Sequence, residues 1–268
     1  MNAIRNAKRQ YTQTLLEIAR GIEPLSPSFY YDYDHSSSVN MIRRDLPSPD
    51  ISKECKSSPF KAIELFSSRS GRELIELAMR EEESSSSRDP LVIEFGTFLA
   101  GSACRWLSAT TRSYIVSVDN WAASPRSVIE HLMASVLTRH VLQNIDISEL
   151  ESLILSLEKY GFHQYVINCG LSSKRFTSVR SRLPEFLFFL YDRQIYPDLF
   201  YFDADKDFFS IEIASRLFPL ATLCGDDLLW ESQSIANTLE EDLKRLATLR
   251  GDSLEMNDNS WVIWTCNR

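Results

Sequence analysis

Residues 91 to 102 read Leu-Val-Ile-Glu-Phe-Gly-Thr-Phe-Leu-Ala-Gly-Ser, followed by Ala103-Cys104-Arg105-Trp106-Leu107. The apolar run that ends at Glu94 reads as a short buried strand. Gly96 and Gly101 bracket a tight turn, and the residues after it open a helix. Glycine lets backbone approach a ligand, and the first turn of a helix presents N–H groups that no carbonyl of the helix accepts. A strand, a glycine turn and a helix in that order suit a nucleotide-type ligand. Glu94, Gly96, Thr97, Gly101 and Ser102 are the candidate contacts. Phe98 stands where a dinucleotide-binding turn has its middle glycine, so a pyrophosphate would be crowded.

Outward from this stretch, strands and helices alternate. Strands are expected at 113–118, 165–168, 199–202 and 221–224, and helices at 126–142, 146–160, 208–218 and 230–249. Residues 171–182 read as loop and short helix. Two final strands, 253–256 and 261–265, flank the turn Asn257-Asp258-Asn259. This alternation predicts an α/β fold whose mostly parallel sheet carries a C-terminal antiparallel hairpin. In such a sheet, ligands bind beyond the carboxyl ends of the strands. Acidic residues recur there: Glu94, Asp119, Asp203, Asp226 and Asp227. Asp119 follows the second strand, where a carboxylate can accept hydrogen bonds from both hydroxyls of a ribose, and Trp121 could stack near an adenine.

Asp203 and the pair Asp226-Asp227 end adjacent strands. Three carboxylates brought together repel one another and raise one another's pKa unless a cation joins them. Mg²⁺, with oxygen ligands and open water positions, fits that need. Helix capping by Asp207 and Asp227 is the plainer account of some of these residues, and the two are compatible. Lys206 lies among the carboxylates, either as a proton acceptor or as an ion-pair partner.

Two stretches resemble a known family. The pattern from Glu94 to Ser102 resembles motif I of class I S-adenosylmethionine-dependent methyltransferases, in the branch with Glu-x-Gly-Thr-Phe-x-x-Gly-Ser. Asp203-Ala204-Asp205-Lys206-Asp207 resembles the Asp-Ala-Asp-Lys-Asp motif of caffeoyl-CoA-type O-methyltransferases, and catechol O-methyltransferase has a similar strand-end Asp followed three residues on by Lys. Cys224-Gly225-Asp226-Asp227 with Trp230 is similar to the macrocin and sugar O-methyltransferase branch, which commonly has His where this chain has Lys206. The resemblance covers about residues 90 to 268. It implies a Rossmann-like methyltransferase fold with a seven-stranded sheet. S-adenosylmethionine is the implied cofactor, held by Glu94, Gly96, Thr97, Gly101, Ser102, Asp119, Trp121 and Asp203. Mg²⁺ is implied on Asp203, Asp226 and Asp227, with Asp203 and Lys206 as catalytic residues and Lys206 as the base. The implied acceptor is a hydroxyl of a small molecule. Between Asp203 and Asp226 the chain is several residues shorter than in both branches. A methyltransferase-like binding subunit without catalysis is the alternative, and a nucleotide-sugar glycosyltransferase using Asp203-Ala204-Asp205 is a more distant one.

Composition bounds the rest. A net charge of −8 speaks against a general nucleic-acid surface, and 44% apolar residues supply a sizeable core. No apolar run is long enough to span a bilayer, and the basic N-terminus precedes no signal-type apolar core, so a cytoplasmic protein is expected. The five cysteines are widely spaced without a Cys-x-x-Cys, which disfavours zinc and disulfides. His131, His140 and His163 lack metal-ligand spacing. Residues 1–88 are expected to form a helical and loop extension, a lid or a homodimer contact, ahead of a domain at 89–268. The charged, serine-rich run 81–88 is read as the boundary. Within the extension, the aromatic and acidic cluster from Phe29 to His35 either lines a substrate pocket or packs over a core edge.

Overall fold

The structure is a computed structural model. It describes residues 2–24, 35–46, 69–97, 100–120, 173–203, 208–226, 228 and 233–266, with isolated positions between 124 and 158. In chain order the elements are α1 (Asn2–Gly21), α2 (His35–Asp45), α3 (Arg69–Ser85), β1 (Leu91–Phe95), α4 (Gly101–Ala109), β2 (Tyr114–Asp119) and β3 (Phe176–Arg180). They continue with α5 (Glu185–Asp192), β4 (Leu199–Phe202), α6 (Phe208–Leu217), β5 (Thr222–Gly225), α7 (Gln233–Arg250), β6 (Ser253–Asn257) and β7 (Ser260–Trp264). The sheet has seven strands in the order β3-β2-β1-β4-β5-β7-β6. Neighbours from β3 to β5 pair parallel, and β7 inserts antiparallel between β5 and β6. This is the mostly parallel sheet with a terminal hairpin that the sequence predicts. The strand order turns back at β1, so a crevice opens between the ends of β1 and β4.

Each central strand is buried on both faces, and alternation divides its side chains between two cores. Leu91, Ile93 and Phe95 of β1 join Val116, Val118, Phe200, Phe202 and Trp261 on one face, under helices α1, α2, α5, α6 and α7. Val92 faces the other way, with Ile115, Leu199, Tyr201, Cys224 and Val262, under α3 and α4. Aromatic rings stack along the first face: Phe95 on Phe202 at 5.4 Å between centroids, and Phe202 on Trp261 at 6.4 Å. Burying each such ring contributes about 1.5–3 kcal/mol.

The N-terminal helices share these cores. Leu16 and Ala19 of α1 and Val39 and Ile42 of α2 are buried in the first, and Leu74, Ile75, Ala78 and Met79 of α3 in the second. Helix α3 runs to Ser85, through most of the stretch read from sequence as a linker, so only residues 86–90 separate it from β1. Its charges are tethers. Glu83 accepts hydrogen bonds from the Thr111, Arg112 and Ser113 amides and from the Thr111 and Ser113 hydroxyls. Burial alone would raise its pKa; these donors outweigh burial and bring it down to about 2.

Strand β3 lies where the sequence suggests loop and short helix. Phe-Thr-Ser-Val-Arg is too polar to read as buried, yet four of its five residues are. Helix α2 supplies the reason: Arg43 bonds the Lys174 and Phe176 carbonyls and the Thr177 hydroxyl along this edge strand. Helix α5, with its apolar Phe-Leu-Phe-Phe-Leu-Tyr run, is likewise absent from the sequence reading. The strand expected at 165–168, Phe98, Trp121, Lys206, Asp227 and the cluster 29–34 lie outside the described residues. The described positions of the helices expected at 126–142 and 146–160 are helical, and Arg126 pairs with Glu158 across them at 3.0 Å. No helix among the described residues is long and apolar enough to cross a membrane.

One carboxylate gathers the end of the sheet away from the crevice. Asp198 precedes β4 and is buried. His35 Nε2, at the start of α2, lies 2.9 Å from its Oδ2, and Arg88 Nη2 donates to Oδ1 at 2.9 Å. The Leu91 amide donates to Oδ2 at 2.8 Å. Burial works to raise the Asp198 pKa, but the His35 hydrogen bond and charge, Arg88 and the Leu91 amide outweigh it and hold it below the usual value. The stabilisation is therefore present above the unfolded-state carboxylate pKa and is lost as pH falls through the lower folded value. Asp198→Ala strands Arg88 and the Leu91 amide, and it is expected to destabilise the protein by about 3–5 kcal/mol. Urea unfolding at neutral pH reads this directly; a loss under 1 kcal/mol would show that the cluster is not a tether.

Candidate functional site

The crevice is built around the turn between β1 and α4. Gly96 sits at φ 96°, a conformation that side chains with a Cβ rarely adopt, and its amide donates to Val118 O at 3.0 Å. The glycine therefore ties the end of β1 to β2 while the backbone reverses. Ala100 adopts the left-handed conformation at φ 65° and caps α4 with no side-chain hydrogen bond. The Thr97 side chain is buried, and among the described residues its hydroxyl has no hydrogen-bond partner. A buried hydroxyl without a partner costs free energy, so a polar ligand group that reaches it offsets that cost with a hydrogen bond. The helix N-terminus next to it favours the negative end of such a ligand.

Beneath the turn lies Glu94. Alternation turns it to the α3 and α4 side, and it is fully buried. Trp106 Nε1 donates to its Oε1 at 3.2 Å, and the Ser117 hydroxyl makes a short hydrogen bond to Oε2. Burial pushes its carboxyl up to about 7. Hydrogen bonds from Ser102, Ser117 and Trp106 pull the other way, and the charge of Asp119 adds to the rise. Neither Ser117 nor Trp106 is a site candidate in the sequence reading. A serine inside Tyr-Ile-Val-Ser-Val, directly in register with Glu94, was the available signal for the first. Trp106, a dozen residues downstream, had none.

Asp119 ends β2 and is partly exposed. Asp203 follows β4, its amide bonded to Phe95 O at 2.8 Å, so it sits at the mouth of the crevice beside β1. Asp226 follows β5. Since Phe202 and Gly225 are register partners, Asp203 and Asp226 end neighbouring strands. Asp226 is buried, and Ser260 donates to its Oδ1 at 3.0 Å. Gly225 holds this geometry: a Cβ there would meet the Trp261 ring at 2.7 Å and Phe202 O at 2.8 Å. Gly101 and Ser102 open α4, Ser102 bonding Glu94. The structure thus brings Glu94, Gly96, Thr97, Gly101, Ser102 and Asp119 to one end of β1 and β2, with Asp203 and Asp226 next to them. Among the described residues no three His, Cys, Asp or Glu side chains form a group that could hold a metal.

No family profile matches the chain, and no curated protein matches it. Solved structures do. A protein called a caffeoyl-CoA O-methyltransferase from Staphylococcus aureus overlays with a TM-score of 0.42 at 11% identity, covering 95% of this chain and 99% of its own. An O-methyltransferase from Bacillus cereus, in complex with S-adenosylhomocysteine, gives 0.42 at 14% identity, over 84% and 96%. The O-methyltransferase TomG from Streptomyces achromogenes, in complex with S-adenosylmethionine, gives 0.41 at 14%, over 85% and 96%. These overlaps are loose. Strand order and register define the fold here.

The buried Glu94 has a consequence for stability. Its folded pKa of about 7 exceeds the ordinary 4.5, so the folded chain keeps a proton that the unfolded chain gives up. Stability from this group is full below the ordinary value and falls as pH rises to about 7. Glu94→Gln removes that loss. Relative to wild type, the variant is expected to gain on the order of 3 kcal/mol between pH 4 and pH 8. Parallel unfolding curves across that range would contradict the buried, protonated carboxyl.

Proposed function

We propose that the chain transfers a methyl group from S-adenosylmethionine to a hydroxyl oxygen of a small molecule. The observation that carries this reading is the β1 turn. A positive-φ glycine, a buried Thr97 hydroxyl with no partner among the described residues and the start of α4, where Ala100 offers no side-chain cap, all lie one strand away from Asp119. An adenosyl amino acid suits this arrangement: its ribose hydroxyls can donate to the Asp119 carboxylate at the end of β2, and its polar amino-acid groups can meet the Thr97 hydroxyl and the first amides of α4. Trp121 is proposed to stack near the adenine.

The methyl group on a sulfonium is already activated, so the work left to the protein is to hold an acceptor oxygen in line and to remove its proton. Asp203, at the mouth of the crevice, is the described carboxylate best placed to orient an acceptor hydroxyl. Lys206, three residues on, is proposed as the proton acceptor or as the cation that balances the carboxylates. Asp203, Asp226 and Asp227 are proposed as an all-oxygen donor set of the kind Mg²⁺ takes; of these, Asp203 and Asp226 end paired strands. Such an ion, when bound, would lower the pKa of the acceptor hydroxyl. The chain between Asp203 and Asp226, shorter than in the branches it resembles, favours a second reading, a methyltransferase-like binding subunit without catalysis.

Calorimetry separates the two. Wild type is expected to bind S-adenosylmethionine, and Asp119→Ala to weaken that binding by about 1–3 kcal/mol, the scale of hydrogen bonds to a charged group. Unchanged affinity would remove Asp119 from the site. Asp226→Asn is expected to weaken Mg²⁺ and lower turnover while cofactor affinity stays nearly constant. Full turnover in EDTA would rule the ion out, and cofactor binding indifferent to Mg²⁺ with no turnover on any hydroxyl acceptor would support the binding subunit.

A further inference from the structure

Glu94 is the one carboxyl sealed under the proposed cofactor turn, and its hydrogen-bond partners suit two protonation states. Two of the three, Ser102 and Ser117, are hydroxyls. A hydroxyl donates to a carboxylate or accepts from a carboxylic acid by rotating its proton, with no heavy atom displaced. Of the three, Trp106 Nε1 is the fixed donor, and it addresses Oε1 while Ser117 meets Oε2. Both hydroxyls also belong to the walls of the site: Ser102 lies in the first turn of α4, and Ser117 lies two residues before Asp119 on β2. Glu94 thus joins the helix start to the strand that ends in the proposed ribose carboxylate.

The groups facing it favour a bound cation. On β2 the charged neighbour is Asp119. On β4 Tyr201 is in register with Glu94, its ring edge-on to Trp106 at 5.2 Å. On α3 and α4, Glu76 and Arg105 pair with each other. Asp203 lies two positions beyond Tyr201, just past the end of β4. A second negative charge at Glu94 therefore sits poorly beside Asp119 until a positive ligand arrives.

Resting on the cofactor reading above, we propose that Glu94 is the proton-coupled floor of the site: it holds a proton when the turn is empty and releases it to solvent when a cationic sulfonium cofactor binds. The step is a single ionisation. The carboxyl O–H bond breaks, the electron pair stays on Glu94 and the buffer takes the proton. The demethylated product, S-adenosylhomocysteine, lacks the sulfonium charge and lets the proton return, so cofactor and product are distinguished by charge as well as by shape. Burial, which carries the Glu94 carboxyl up to about 7, sets the exchange near neutral pH.

The test is calorimetry in EDTA at pH 7, in phosphate and in Tris, whose ionisation enthalpies differ. The ligands are S-adenosylmethionine, its unreactive amine analogue sinefungin, and S-adenosylhomocysteine. The two cationic ligands are expected to release roughly half a proton and the neutral product distinctly less. Glu94→Gln carries the same ligand titrations, so the difference between it and wild type belongs to Glu94, and the variant should abolish it. Equal proton release for all three ligands in wild type, or release unchanged in Glu94→Gln, overturns the coupling while leaving the cofactor site standing. No binding of any of the three overturns both. Should the variant not fold, wild type alone decides. Its preference for S-adenosylmethionine over S-adenosylhomocysteine should rise about tenfold from pH 6 to pH 8, and a flat ratio contradicts the proposal.

Discussion

Strand β1 has no free side. It is hydrogen-bonded to β2 and β4 along its length, and all five of its residues are buried. Any polar group carried on it must find its partners inside the protein. Glu94 is that group, and two elements are arranged to meet it: β2 with Ser117, and α4 with Ser102 and Trp106. The same enclosure makes the end of β1 useful. Where the strand stops, the chain leaves the core at Gly96, and the two strands beside it deliver Asp119 and Asp203 to one crevice. A rigid, doubly buried strand holds such a turn more firmly than a loop would.

The two ends of the sheet use charge differently. At the far end, Asp198 is surrounded by donors, its pKa is held down, and its partners belong to helix α2, the 86–90 connection and β1. At the crevice end, Glu94 is met by hydroxyls and one indole, and burial wins. The first arrangement fixes a charge in place; the second keeps a proton exchangeable. The N-terminal helices belong to the first kind of work. Leu16, Ala19, Val39 and Ile42 fill one face of the sheet, while α3 covers the other and clasps the loop that leads into β2 through Glu83.

Much of this was legible in the sequence, for identifiable reasons. β1, β4 and β5 are short apolar runs that stop at Gly or Asp, and the terminal hairpin is marked by Asn257-Asp258-Asn259. The clustering of Glu94, Gly96, Thr97, Ser102 and Asp119 follows from strand ends alone. β3 was not legible, because Thr177, Ser178 and Arg180 resemble a loop until Arg43 of α2 lies across them. The role of α3 was masked by its charge. Glu81, Glu82 and Glu83 look like a solvated linker, yet Glu82 is buried where Thr222 reaches it and Glu83 anchors the loop before β2. The inward turn of Glu94 was a matter of parity: which face a strand residue takes is set by its neighbours, and the sequence names only that it ends an apolar run.

The central claim is that the turn after β1 and the end of β2 form one adenosyl-cofactor site. A crystal structure of the chain with S-adenosylhomocysteine measures it most directly. The account predicts ribose hydroxyls within hydrogen-bond distance of the Asp119 carboxylate, and polar amino-acid groups of the ligand at the Thr97 hydroxyl and the first amides of α4. A ligand bound elsewhere, or Asp119 turned from the ribose with Thr97 still without a partner, would contradict it.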